Sequence, residues 1–467
     1  MTPDRRPTAG PTAPVRLDHP EARLVDAATG DALGGTQLAA AIAAAADRAA
    51  STHAGLQLRL LPTSIDAIVD YVGALAAGRP VALLAADTPA PYLAELAHRY
   101  QPAAIAGGEG APPAGYRAAP DGRQGWWRSG DDAAPAHPEL ALLLGTSGST
   151  GSPKLVRLSA GAVMANAEAI VKALSITGAD VTVTSLPLHY TFGLSVLHSY
   201  LLAGATVVLN PGTFVQRAFW STVDEHRVTS LSAVPSQYEM LRRLRFTVAA
   251  HASLRTLTAA GGRLRPDLVL ERHRDLVAHS GQLFVMYGAT EATARMTVLA
   301  PERLPEKAAS VGAPLPGGRV ALDAEGQVTY QGPNVMMGYA TEAEDLARGD
   351  DLGGVLATGD LGRLDEDGDL YLTGRIKRIA KIFGIRVNLD DVETMLAGHA
   401  PVAALADDDG AVILIEQATA SECERIRREL ADQLGLHSSG LRVLGVEAIP
   451  LLSNGKIDYR LAQEVAS

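Results

Sequence analysis

Three observations on this 467-residue chain predict an α/β architecture with largely parallel strands, followed by a small α+β domain. Short apolar runs alternate with Ala-rich helical stretches, the rhythm of strand–helix–strand units. Each later run ends in small or polar residues, as strands do where an open sheet holds its ligands. After Gly374 the chain changes character, becoming first basic and then a compact alternation of helices and strands. The length itself favours more than one hydrophobic core.

The first fifteen residues mix Pro, Thr, Ala and Arg without periodicity, which predicts a disordered lead. From Val15 onward, strand-like runs at 22–27, 56–62 and 80–86 alternate with helical stretches Gln37–Ala50 and Ser64–Ala77. Residues 107–137 are dense in Gly, Pro, Asp and Ala and read as a long surface loop before the apolar strand Leu140–Leu144. Apolar runs then recur at 182–188, 205–211, 228–235, 254–262 and 283–291. The boundaries expected are residues 1–374 for a large domain and 375–467 for a small one.

A formal net charge of -11 and a pI near 5.6 leave no basic footprint for nucleic acid or an anionic membrane surface. Small molecules and proteins are the expected partners. A lone cysteine, Cys423, precludes an internal disulfide. No apolar h-region and no stretch approaching 18 apolar residues is present, so a cytoplasmic protein without a membrane span is expected.

The chemistry concentrates in a few segments. Leu142-Leu-Leu-Gly-Thr-Ser-Gly-Ser-Thr-Gly-Ser-Pro-Lys154 launches a Gly- and hydroxyl-rich loop from an apolar strand and closes it with a lysine. Glycines let backbone N–H groups approach an anion, hydroxyls donate further bonds and the lysine adds charge, so the segment reads as a phosphate cradle. It lacks the spacing of a Walker loop. Tyr287-Gly-Ala-Thr-Glu291 places an aromatic face, a hydroxyl and a carboxylate at a strand end. Thr358-Gly-Asp360 and Tyr371-Leu-Thr-Gly-Arg375 flank an acidic hairpin, and Pro450-Leu-Leu-Ser-Asn-Gly-Lys-Ile-Asp458 sets Lys456 in an Asn-Gly turn.

Taken in order from about Arg16 to Arg460, these segments closely resemble the signature motifs of the adenylate-forming superfamily: acyl-CoA synthetases, luciferases and peptide-synthetase adenylation domains. The resemblance implies stacked mixed and parallel sheets flanked by helices, with the small domain acting as a mobile lid. It further implies activation of a carboxylic acid as an acyl-adenylate with ATP and Mg²⁺, pyrophosphate being released, and then transfer to a thiol of CoA or of a carrier protein's phosphopantetheine arm.

By that resemblance Thr146, Ser147, Gly148, Ser149, Thr150 and Lys154 hold phosphates, and Tyr287 lies near adenine with Gly262 and Gly288. Thr290 touches phosphate, while Glu291, with Thr146, serves Mg²⁺, which takes hard oxygen ligands. Asp360 and Arg375 bind ribose, and Lys456 swings in to stabilise the adenylation step. Lys377 is the hinge, and Gly384, in the Lys381–Arg386 segment, lines the thiol tunnel. The Gly332–Tyr339 motif is expected to be structural.

The resemblance loosens after the phosphate loop. Leu188-His189-Tyr190-Thr191-Phe192-Gly193 puts Tyr190 where relatives often carry a histidine, with His189 just before it. His189 is therefore a catalytic candidate alongside Tyr190. The acid pocket is assigned to Tyr190, Phe192, Val234, Pro235, Gly261, Gly262 and Ala289, mostly small or apolar, as an uncharged acyl or aryl group would want. The Phe-Asp motif that marks amino-acid substrates is absent, and no carrier motif follows Lys456, so a stand-alone ligase is expected. Two other readings compete: an adenylating enzyme that passes its product to a non-thiol acceptor such as an amine, and a nucleotide-binding protein without turnover.

Overall fold

The computed structural model of the protein describes residues 15–120, 122–130, 133–145, 154–383, 385–396, 400–407, 410–452 and 455–466, with only the backbone of Lys377, Lys381 and Arg386. Its chain divides into two compact units, Met1–Arg319 with Gln331–Leu356, and Val320–Tyr330 with Ala357–Ser467.

The larger unit contains two mixed sheets. In the nine-stranded sheet, strands Gln282–Tyr287, Thr256–Ala259, Ser230–Ala233, Val181–Val183, Thr206–Leu209 and Arg23–Asp26 lie side by side and parallel, with antiparallel strands at both edges. These are the apolar runs of the sequence, and the connecting helices bury Phe219, Tyr238, Leu241 and Leu268 against them. The eight-stranded sheet is parallel through Ala104–Ala106, Gln57–Leu61, Val81–Ala85 and Leu140–Gly145, and antiparallel at both ends.

The stretch expected to be a loop instead supplies that sheet's edge, as strands Tyr116–Ala118 and Gly125–Arg128. Trp126 drives this. Its ring is buried and packs so closely on Gly108 that a Cβ there would lie 2.2 Å from it. One large aromatic outweighs the turn-forming composition around it.

Helix Thr191–Leu202 is buried at every position from Thr191 to Leu201. One side packs against strand residues of the nine-stranded sheet, lining a small cavity with Thr184 and Ser232. The other meets Leu142 of the eight-stranded sheet and helix Ala160–Leu174. A helix enclosed on all sides must satisfy its polar side chains internally. Ser195 Oγ donates to the Phe192 carbonyl at 2.7 Å and Ser199 Oγ to the Ser195 carbonyl at 2.8 Å. His198 Nε2 lies 2.8 Å from the hydroxyl of Tyr71, on helix Ile65–Ala76.

The smaller unit carries a four-stranded sheet containing Gln327–Gln331, Val355–Leu364 and Leu370–Arg375, the hairpin Ile379–Ile382 with Ile385–Asn388, and a three-stranded sheet of Val402–Asp407, Gly410–Glu416 and Leu441–Val446. Helices Leu389–Leu396, Ala420–Leu434 and Tyr459–Ala466 complete it. Helix Ala420–Leu434 shows its sequence signals directly. Thr419 and Glu422 form a capping box at its start, and Gly435 takes the left-handed conformation at its end. Packing divides the chain at Leu356/Ala357 and assigns Val320–Tyr330 to the smaller unit, whereas the boundary after Gly374 rests on the change of character along the sequence.

The Tyr71–His198 pair yields two predictions. Tyr71→Phe deprives a buried imidazole of its partner and is expected to cost ~1–3 kcal/mol in urea unfolding. Burial also pushes the His198 pKa down to about 3. The unfolded chain takes up that proton below about pH 6.5, so stability falls between there and pH 3, by about 2 kcal/mol at pH 5 from this residue. Unfolding at pH 7 and pH 5 should therefore show a smaller acid loss for His198→Gln than for the wild type; an equal loss would refute the assignment.

Candidate active site

The C-terminal ends of the parallel strands of the nine-stranded sheet gather many of the predicted residues that are described in the larger unit. His189 and Tyr190 follow strand Val181–Val183, Val234 follows Ser230–Ala233, Gly261 and Gly262 follow Thr256–Ala259, and the Tyr287–Glu291 motif ends Gln282–Tyr287. These four strands are consecutive in the sheet, so their ends form one row. Gly261 has φ 84, the left-handed region that favours glycine. A Cβ on Gly288 would fall 1.7 Å from the Ala294 carbonyl oxygen, so the chain can double back there only because position 288 lacks a side chain.

Within this row Thr191 Oγ1 and Thr290 Oγ1 are 2.8 Å apart, joining the His189–Phe192 segment to the Tyr287–Glu291 motif. Tyr190 and Phe192 meet edge to face at 6.4 Å. Burial raises the Tyr190 pKa to about 12, leaving a neutral phenol. Burial lowers that of His189 despite the opposing charge of Asp87, which favours a neutral imidazole at pH 7.

Lys154 and Glu291 are brought to opposite ends of one side chain. The Lys154 ammonium lies 4.0 Å from the centre of the Tyr339 ring, and the Tyr339 hydroxyl donates to Glu291 Oε1 at 2.8 Å. An aromatic face holds a cation without neutralising it, and a phenol orients a carboxylate without adding charge. Burial is the first cause of the upward shift of the Tyr339 pKa, followed by the charge of Glu291.

The Gly332–Tyr339 motif is anchored from both sides. Met336 N–H donates to the Glu291 carbonyl, Thr293 Oγ1 to the Asn334 carbonyl, and Asn334 Nδ2 to the Ala292 carbonyl. Arg157, fully buried, donates to the carbonyls of Met337 and Tyr339 and pairs with Asp351. Tyr339 is the residue that sequence reasoning passed over, since its motif reads as structural. Its aromatic-hydroxyl chemistry is the signal that could have found it.

In the smaller unit, Asp360 and Arg375 are direct partners across two antiparallel strands, with Arg375 Nε 2.9 Å from Asp360 Oδ1. Thr358 Oγ1 accepts the Asp360 N–H while donating to the Val328 carbonyl, and Gly359 has φ 77. Lys377 lies in the helical turn Ile376–Arg378. Beside it, Arg378 is pinned to Asp390 and Glu393, each at 2.7 Å, over the Tyr459 ring. Lys456 is half-buried on a short hairpin where Leu451 bridges Ile457 and Leu452 N–H donates to the Lys456 carbonyl. Thr146, Ser147, Gly148, Ser149, Thr150 and Gly384 lie outside the described residues, as does the Lys377 side chain.

Within the larger unit the arrangement offers a cation, Lys154, an oriented carboxylate, Glu291, and the hydroxyls of Thr191 and Thr290, a donor set suited to a nucleotide phosphate and a hard divalent cation. Comparison with known proteins identifies the family. Residues 37–340 match the family model described as "AMP-binding enzyme". The chain is similar to oxalate–CoA ligase of Arabidopsis thaliana, 31% identical over 70% of this chain and 68% of that protein. It is 34% identical to 2-succinylbenzoate–CoA ligase of Bacillus subtilis over 56% of this chain and 54% of that enzyme, so it spans about half of that relative. The fold matches the O-succinylbenzoate coenzyme A synthetase of Bacillus subtilis solved with ATP and magnesium, at TM-score 0.72 and 22% identity over 94% of this chain and 96% of that one. Among the described residues no helix is long and apolar enough to cross a membrane. The predicted α/β fold and superfamily resemblance thus hold, and the chain belongs to the AMP-binding enzyme family, that of the AMP-forming acid–CoA ligases.

Proposed function

We propose that the protein uses ATP and Mg²⁺ to convert a carboxylic acid into an acyl-adenylate and then passes the acyl group to a thiol, of coenzyme A or of a carrier protein's pantetheine arm. The Lys154–Tyr339–Glu291 arrangement carries this reading, because it supplies at one place a cation for phosphate and an oriented carboxylate for a metal. In the first step the acid's carboxylate oxygen bonds to the α-phosphorus and the bond to pyrophosphate breaks. Lys154 and the phosphate loop Thr146–Thr150 offset the charge on the phosphates, and Lys456 offsets charge on the α-phosphate and the attacking carboxylate. Mg²⁺, held by Glu291 with Thr146, would neutralise the nucleotide's phosphates. Asp360 accepts hydrogen bonds from the ribose hydroxyls, with Arg375 beside it, and Tyr287 lies against adenine.

In the second step a thiol attacks the acyl carbon and AMP leaves. Lys377 is the proposed pivot between the steps. It stands between the Asp360–Arg375 pair and Arg378, which is locked to Asp390 and Glu393, so backbone change has few other places to occur. His189, as a neutral imidazole, is assigned a hydrogen-bonding role toward the acid, with Tyr190 and Phe192 as walls. A cytoplasmic setting is proposed, since a single cysteine forms no internal disulfide and needs no oxidising compartment.

Lys456→Ala is expected to lower acid-dependent pyrophosphate release by about 100- to 1,000-fold, the scale of losing a preorganised charge stabiliser. An unchanged rate would remove Lys456 from the adenylation step. Tyr339→Phe, which keeps the ring over Lys154 but frees Glu291, should raise the Mg²⁺ concentration needed for half-maximal rate by about 10-fold. Turnover with and without coenzyme A identifies the acceptor, with thiol stimulation expected.

A further inference from the structure

Beside Phe192, which is assigned to the wall of the acid pocket, lies a charge that the mostly small and apolar composition of that pocket does not suggest. Arg295 is 2% exposed and lies four residues beyond Glu291, just before strand Thr297–Leu299 returns along Gln282–Tyr287. Its main chain is held on both sides. Asn166 Nδ2 donates to its carbonyl at 2.8 Å, and the neighbouring Met296 N–H donates to the Tyr287 carbonyl at 2.8 Å. The guanidinium lies 5.0 Å from the centre of the Phe192 ring, the residue assigned to the wall of the acid pocket.

What sets Arg295 apart is how little answers its charge. Its Nε and Nη1 have no hydrogen-bond partner among the described residues, and it forms no ion pair with any of them. The other arginines buried as deeply are provided for: Arg157 by Asp351 and main-chain carbonyls, Arg272 by Glu271, Asp275 and the Phe246 carbonyl. Burial lowers the Arg295 pKa to about 10, so the group remains cationic at neutral pH. A buried guanidinium with unmade hydrogen bonds is costly, and the Phe192 face compensates only part of it. The group that meets its planar donors best is a carboxylate, which accepts two parallel bonds.

Building on the acid-activation reading, we propose that the substrate is a dicarboxylic acid: one carboxylate is adenylated, and the other enters beside Phe192 and pairs with Arg295. Arg295 is then a specificity-determining residue, rejecting acids whose distal end is uncharged because they would leave the guanidinium both buried and unanswered.

The test is pyrophosphate release with ATP and Mg²⁺, using succinate, glutarate and phthalate against the monomethyl ester of each, which keeps one carboxylate and removes the second charge. The wild type should favour a diacid over its own monoester by about 100-fold or more in kcat/KM, as sites built around a buried polar group discriminate. Arg295→Met should abolish that preference by lowering kcat/KM for the diacids and raising it for the monoesters, with the KM for ATP unchanged, and Arg295→Lys should restore part of it. The inference is overturned if wild-type enzyme turns over monoesters or other monoacids in preference to diacids, a result that needs no variant to fold. It is likewise overturned if Arg295→Met slows diacid and monoester equally, the mark of a purely structural arginine. Turnover on monoacids alone would leave acid activation standing and remove only the role of Arg295, whereas silence with every acid would remove both.

Discussion

The enclosure of helix Thr191–Leu202 governs the larger unit. Packed against residues of both sheets and against helix Ala160–Leu174, it has no solvent face, so its ends are the only places where its chain can meet a ligand. Its N-terminal end carries Phe192 and Thr191, the latter joined to Thr290 at the row of strand ends, and is preceded by His189 and Tyr190. The same enclosure keeps His198 neutral and makes its link to Tyr71 a condition of the packing. Site and core are therefore not separable here, since shifting the helix along its axis would displace Phe192 from Arg295 and Thr191 from Thr290.

A second constraint joins distant parts of the chain. Arg157 binds carbonyls nearly two hundred residues later in sequence and pairs with Asp351, fixing the strand that contains Tyr339 against the one that follows Lys154. Gly338 makes this possible, because a Cβ at that position would lie 2.5 Å from the Asp351 carboxylate and 2.7 Å from the guanidinium. An ion pair whose arginine is buried and whose carboxylate is partly exposed adds modest net stability but strongly disfavours alternatives that leave the buried guanidinium unpaired. Its effect is registry: it sets which aromatic faces Lys154 and which hydroxyl reaches Glu291.

The smaller unit repeats the pattern on a smaller scale. Asp360 and Arg375 are positioned by strand register, and Gly374 admits the Asn388 amide so closely that no side chain fits, tying the strand to the following hairpin. Arg378 is then bound to helix Leu389–Leu396 through Asp390 and Glu393. Ile376 and Lys377 lie between these two anchored stretches, which gives the proposed pivot a physical basis in the neighbours rather than in the lysine itself.

Much of this was legible in the amino-acid sequence. Alternating apolar runs and helical stretches determined the α/β class, and local signals such as Thr419, Glu422 and Gly435 determined individual helix ends, because both depend on interactions within a few residues. The order of the motifs determined the family, since spacing along the chain is itself a sequence property. Only the tertiary structure decided that residues 107–137 contain edge strands, that Tyr339 joins Lys154 to Glu291, and that Arg295 is buried against Phe192 with its charge unanswered. Each of these depends on which residues from far-apart segments share a neighbourhood. Charge, aromaticity and hydroxyl chemistry can be read from one position, but burial and the presence of a partner are properties of the packed chain.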